Sequence, residues 1–164
     1  GQHRGEIFNL CEGFQMVVNV DADEVWDTEV LKQSLEDASK LDNRFIQVNG
    51  FVHFWKSFNH ICTDGFLPVR IINLHSDNPV QGCVNGKIYH FGYAQKLEIM
   101  EYKTKIHGHK SEIREDWWNK YLDWKEGDED VHIVSKNLWT PYRFDKTTLP
   151  EILKNHENYN KDVI

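Results

Sequence analysis

The stretch Phe14-Gln15-Met16-Val17-Val18-Asn19-Val20 runs without a break into Asp21-Ala22-Asp23-Glu24, and its reading decides the fold class. Residues 14–20 are few and rich in β-branched side chains, which favour a buried strand over a helix. The acids stop that strand. Asp27 then opens a helix over Thr28 to Ser39, with its side chain as the N-cap and Val30, Leu31, Leu35 and Ala38 on the inward face. A strand feeding a helix in so few residues is the opening of an α/β layer.

Working outward, Glu6 to Cys11 places Ile7, Leu10 and Cys11 on one helical face, closed by Gly13. Phe45 to Trp55 alternates as a strand, with Gly50 as a bulge or twist point. Val69 to Leu74 predicts a third strand behind Pro68, and Lys87 to Tyr93 a fourth, entered through an Asn85-Gly86 turn. The period then changes. Lys96 to Ile106 and Ile113 to Trp124 carry apolar residues at helical spacing, and a short helix is expected near Leu149 to Asn155. The expectation is one α/β domain over residues 1–164 with an α-helical C-terminal region.

The 164 residues carry 40% hydrophobic and 27% charged side chains, enough apolar material for a packed core and too much for a disordered chain. The net charge of -7 disfavours a phosphate backbone as partner, so nucleic-acid binding is not expected. No apolar run reaches the length of a membrane span and no leader pattern precedes the first strand. Cys11, Cys62 and Cys83 are too widely spaced for a zinc knuckle or a disulfide framework. A reducing, cytoplasmic setting is the expectation.

The chemistry concentrates in the acidic cluster. Three carboxylates within four residues repel one another unless a cation or a basic partner offsets them. In α/β sheets ligands bind outside the carboxyl ends of strands, which is where these side chains are expected, at the end of a central strand and in a common cleft. Hard divalent ions take oxygen ligands and bridge to substrate phosphates. The plainer alternative is that the acids complement the dipole of the following helix.

The run Met16-Val17-Val18-Asn19-Val20-Asp21-Ala22-Asp23-Glu24-Val25-Trp26 resembles the Asp-x-Asp strand of family 2 glycosyltransferases with the GT-A fold. Arg4 and Asn9-Leu10-Cys11 look like the helix preceding that strand, and Val69-Arg70-Ile71-Ile72 like the family's arginine-bearing strand. Ile88-Tyr89-His90-Phe91-Gly92-Tyr93-Ala94 is similar to an H-Y-G-W-x-R segment, and Pro141 to His156, containing Leu149-Pro150-Glu151-Ile152-Leu153-Lys154, to an L-P-x-x-L-x-x-H-P tail. The resemblance implies a partial GT-A-like sheet and transfer of a sugar from a nucleoside-diphosphate donor to a carbohydrate or other hydroxyl acceptor. It assigns donor binding to Asp21, Asp23 and Arg70. It implies Mn²⁺ or Mg²⁺ on Asp23 and Asp21, with His90 as a further ligand. The metal would offset charge on the departing diphosphate.

Two features depart from the family. Gln95 stands where an arginine is usual, and an amide does not replace its charge. The residues before Asp21 are also too few for the family's nucleotide-binding βα units, so the chain is expected to lack them and to bind donors weakly. An exposed sheet edge left by those units would favour self-association. An inverting transfer needs a carboxylate base. No pattern assigns it, and Asp64 and Glu98 are the weak candidates.

His107-Gly108-His109 resembles a ligand pair but reads better as a polar break, and His53, His60 and His75 have no metal-site spacing. Trp117, Trp118, Tyr121 and Trp124 read as helix packing, with Trp118 the exposed one. The rival readings are a non-catalytic carbohydrate- or partner-binding remnant of the fold and a metal-dependent phosphohydrolase. The second is opposed by the lack of another acidic or histidine-rich cluster.

Overall fold

The computed structural model describes residues 10–11, 13–63, 65–106 and 110–162. Among them the strands are β1 (Met16–Val18), β2 (Glu24–Trp26), β3 (Phe45–Trp55), β4 (His60–Cys62), β5 (Val69–Asn73), β6 (Gln81–Tyr93) and β7 (Tyr142–Arg143). The α-helices are α1 (Thr28–Ala38), α2 (Leu97–Ile106), α3 (Trp117–Asp123) and α4 (Glu151–Lys154), with 3₁₀ turns at Lys110–Glu112 and Lys146–Thr148. This is a mixed α/β fold with a seven-stranded sheet that does not close into a barrel. No described helix is long and apolar enough to cross a membrane.

The strand path runs β1-β5-β3-β4-β7, with β6 joined to β3 and β2 joined to β6. The β1–β5, β3–β5, β3–β4 and β4–β7 pairs are all antiparallel. Two consequences bear on the sequence reading. β1 lies at one end of the path, so the acids follow an edge strand rather than a central one. The rule that placed a ligand beyond the strand ends belongs to parallel sheets, and these four pairs are not parallel.

The chain divides into two compact units, Gly1–Phe51 with Phe66–Ile88, and Val52–Gly65 with Tyr89–Ile164. In the first, α1 forms as the sequence predicts: Asp27 accepts from the Val30 amide at 3.2 Å. Ala38, Ile46, Val48, Phe51, Ile71, Val84 and Ile88 form its core, with Leu35 and Trp26 packed against them. Ser34, on the inward face of α1, is fully buried and donates from Oγ to the Asn85 carbonyl at 2.6 Å.

That bond belongs to a correction. Asn85-Gly86 is not a turn, because β6 runs straight through it from Gln81 to Tyr93. Gly86 is needed for close approach: a Cβ there would collide with Val48 Cγ1 and crowd the Asn49 carbonyl. Gly50 has φ +86°, and a Cβ on it would strike the Gly86 carbonyl. Two glycines let the backbones of β3 and β6 meet.

The second unit is aromatic. Trp55, Cys62, Met100, Trp117, Tyr121, Val131, Ile133 and Trp139 form its core. The helix expected from Ile113 begins only at Trp117, because residues 113–116 are spent on the Arg114 side chain. Arg114 donates to Asp116 and to both carboxylate oxygens of Asp130, at 2.7 and 2.9 Å for the latter. Trp118 is half-buried rather than exposed, stacked on Tyr121 at 5.8 Å. Along α2 only Met100 is buried, while Leu97 and Ile106 are more than half in solvent or close to it.

Candidate functional site

The acidic cluster folds back on itself. The Glu24 amide donates to the Asp21 carbonyl at 3.0 Å, and the Asp21 amide donates to Glu24 Oε2 at 3.3 Å. This reciprocal turn brings Glu24 inward as the first residue of β2, its side chain fully buried. The basic partner the sequence requires is Arg70 on β5. Its Nη2 donates to Asp21 Oδ2 at 2.8 Å and to Glu24 Oε1. Strand pairing delivers it, since the Asn19 amide donates to the Arg70 carbonyl at 2.8 Å. The guanidinium also lies over the Phe51 ring at 5.7 Å.

Burial pushes the Glu24 carboxyl above its ordinary range, and the Arg70 hydrogen bond and charge pull it back. Arg70 is itself nine-tenths buried, with its Nε lacking a hydrogen-bond partner among the described residues. Asp23 sits half-buried in the same turn. The cluster thus joins two segments far apart in sequence, Asp21–Glu24 and Arg70, and sets one guanidinium against three carboxyl groups.

His90 belongs to the second unit, where its Nδ1 lies 2.9 Å from Nδ1 of His53. Glu98 is exposed in the first turn of α2. Asp64, Arg4, Asn9, His107 and His109 lie outside the described residues. Gln95, in the place of the family's arginine, donates from Nε2 to the Phe91 carbonyl at 3.1 Å and fastens the end of β6. His75 is exposed. His60 is buried between Ser57 and Trp124, 3.8 Å from Glu126, and its burial holds the imidazole below its ordinary pKa.

Sequence reasoning missed two residues of this kind. Lys56, buried with φ 56°, donates to the Tyr121 carbonyl at 2.7 Å in the last turn of α3. Desolvation lowers its pKa. Trp139, with φ 67°, lies on His53 at 4.4 Å between ring centroids. Neither shows a spacing signal; a lysine closing an aromatic run and a tryptophan in a polar tail look unremarkable before the chain is folded.

No group of three or more His, Cys, Asp or Glu side chains is arranged to hold a metal ion among the described residues. A hard divalent ion of the kind expected takes one or two carboxylates and completes its shell with water and phosphate. The acidic turn can offer no more than that, because Arg70 already engages Asp21 and Glu24. The second unit also holds an open cavity of about 430 Å³, lined by Asp116, Asn119, Lys120 and Asp123 of α3 and its approach, with Trp124 and Asp128. Comparison with protein-family models, with curated proteins and with solved structures finds no match to this chain.

Proposed function

We propose that this chain carries part of a glycosyl-transfer site, working on a nucleoside-diphosphate sugar and a hydroxyl acceptor with Mn²⁺ or Mg²⁺ bound at the acidic turn. The observation that supports the reading is the meeting of the acidic turn with Arg70. These are two of the separate segments on which the resemblance to family 2 glycosyltransferases rests. In this reading Arg70 is a positioning residue. It fixes Asp21 and Glu24, and so the backbone that carries Asp23 toward a metal-bound diphosphate. Cys83 is an exposed free thiol, which supports a reducing cytoplasmic setting.

Titration calorimetry with nucleoside diphosphates tests this. Binding that requires Mn²⁺ and is lost in Asp23→Asn, with the melting temperature unchanged, is expected. Absence of binding, or binding indifferent to Mn²⁺ or to Asp23→Asn, overturns the reading.

The cavity beside α3 favours a second reading, a non-catalytic carbohydrate-binding protein. An indole with carboxylates and an amide around it suits a sugar ring and its hydroxyls. That reading predicts oligosaccharide binding without nucleotide or metal, weakened by Asn119→Ala.

A further inference from the structure

Two imidazoles of the second unit converge in a way the acidic turn does not account for. His53 on β3 is 6% exposed and His90 on β6 is half-buried, and their Nδ1 atoms stand 2.9 Å apart. The ring planes are perpendicular, with centroids 4.9 Å apart. Aromatic rings enclose the pair. Trp139 covers His53, and Tyr93 sets its edge against His53, His90 and Trp139.

The covering residue is held at a cost. A tryptophan at φ 67° occupies a backbone region that bulky residues avoid, and such outliers gather where surrounding structure enforces them at functional sites. The enforcement is visible. The Val131 amide donates to the Trp139 carbonyl at 3.0 Å, and the His132 ring braces the indole from 4.5 Å. His132 is committed to that turn, its Nδ1 accepting from the Val134 and Ser135 amides.

Two facing Nδ1 atoms either share one proton or share a Lewis acid. Zinc–imidazole bonds of about 2.0–2.1 Å at a tetrahedral angle separate two ligand nitrogens by about 3.3 Å. The pair therefore admits such an ion by opening a few tenths of an ångström. A linear two-coordinate ion needs about twice the bond length, about 4 Å, and fits less well. Mg²⁺, Mn²⁺ and Ca²⁺ prefer oxygen, whereas imidazole suits Zn²⁺, Cu²⁺ and Ni²⁺.

We propose that His53 and His90 form a transition-metal site, both coordinating through Nδ1, for a borderline divalent ion such as Zn²⁺. Coordination through both Nδ1 atoms would hold the ion beside the Trp139 indole that covers His53. The site is chemically distinct from the acidic turn and independent of the glycosyl-transfer reading.

Co²⁺ titration of the purified chain is the test, with the visible absorption of the ion as readout and Zn²⁺ as competitor. A site saturating at one equivalent, displaced by Zn²⁺ and indifferent to Mg²⁺, is expected. His90→Gln, at the half-buried position, should lower affinity ~100-fold or more, while His75→Gln leaves it unchanged. Because His53→Gln risks misfolding, ¹⁵N ring spectra of the unaltered chain supply the second measurement. Two histidines whose Nδ1 resonances move with Zn²⁺ support the site. No saturable binding, binding that survives in folded His90→Gln, or shifts at other histidines alone overturns it.

Discussion

Arg70→Met isolates the electrostatics of the acidic turn. The Glu24 side chain is fully buried, the Arg70 side chain 11% exposed and the Asp21 side chain 38% exposed. Removing the guanidinium strands a buried carboxylate, which costs about 3–5 kcal/mol in comparable cases. The more exposed Asp21 pair adds at most about 1 kcal/mol. Native stabilities are about 5–15 kcal/mol, so the loss is a large share of the whole. With a urea dependence of about 2 kcal/mol per molar, the midpoint should fall by about 2 M. The cost has a pH signature. Burial already raises the Glu24 carboxyl, and without Arg70 it rises further. The folded variant therefore holds a proton that the unfolded chain releases above its ordinary pKa, so stability is greatest at low pH and falls as pH rises. Urea denaturation at pH 7 and pH 5 should show the deficit shrinking in acid. The double variant Glu24→Leu, Arg70→Met should recover most of it, since a buried pair replaced by apolar side chains is often neutral. A deficit below about 1 kcal/mol at pH 7, or a double variant no better than the single, would refute the reasoning.

Lys56→Met removes the cation that caps the last turn of α3 and lies over the Tyr121 ring; thermal melts should register a loss of about 2 kcal/mol, and an unchanged melt would mean that water replaces the ammonium. His60 has its pKa lowered by burial, so the unfolded chain protonates first as pH falls. Its contribution is present above the ordinary histidine value and is lost as pH drops through the folded one. His60→Gln should therefore flatten the acid side of the melting-temperature profile, and a profile parallel to wild type would exclude His60 as its source. Gly86→Ala forces a methyl against Val48 and should cost about 1–3 kcal/mol by urea denaturation; a neutral substitution would show that the approach of β3 and β6 is loose.

Legibility followed the range of the interactions involved. The Asp27 cap, the limits of β3 and the extent of α2 depend on neighbours a few residues away, and they were readable from pattern. Asn85-Gly86 is ambiguous in sequence because the same dipeptide serves a tight turn or a close backbone approach, and only the distant Gly50 and Val48 decide between them. The late start of α3 has the same origin, since Arg114 is recruited by Asp130, sixteen positions on. At the candidate site, the need for a basic partner to the acids is legible in sequence, while Arg70 stands out there only as a donor contact. That it closes on Asp21 and Glu24 depends on the β1–β5 register. The pairing of His53 with His90 joins residues 37 apart and has no local signature.

The division of the chain into two units, each assembled from two separate stretches, bears on synthesis. Gly1–Phe51 cannot complete its unit until Phe66–Ile88 has left the ribosome, and Val52–Gly65 must wait for residues beyond Tyr89. A nascent chain thus holds an aromatic segment, Val52 to His60, without its packing partners while the first unit is being completed. Contacts of long sequence separation slow folding and expose apolar surface in the interval. A single cut after Ile88 keeps every residue of the first unit but leaves Val52–Gly65 without the partners that follow it from Tyr89 onward, so that product should expose its aromatic segment and aggregate.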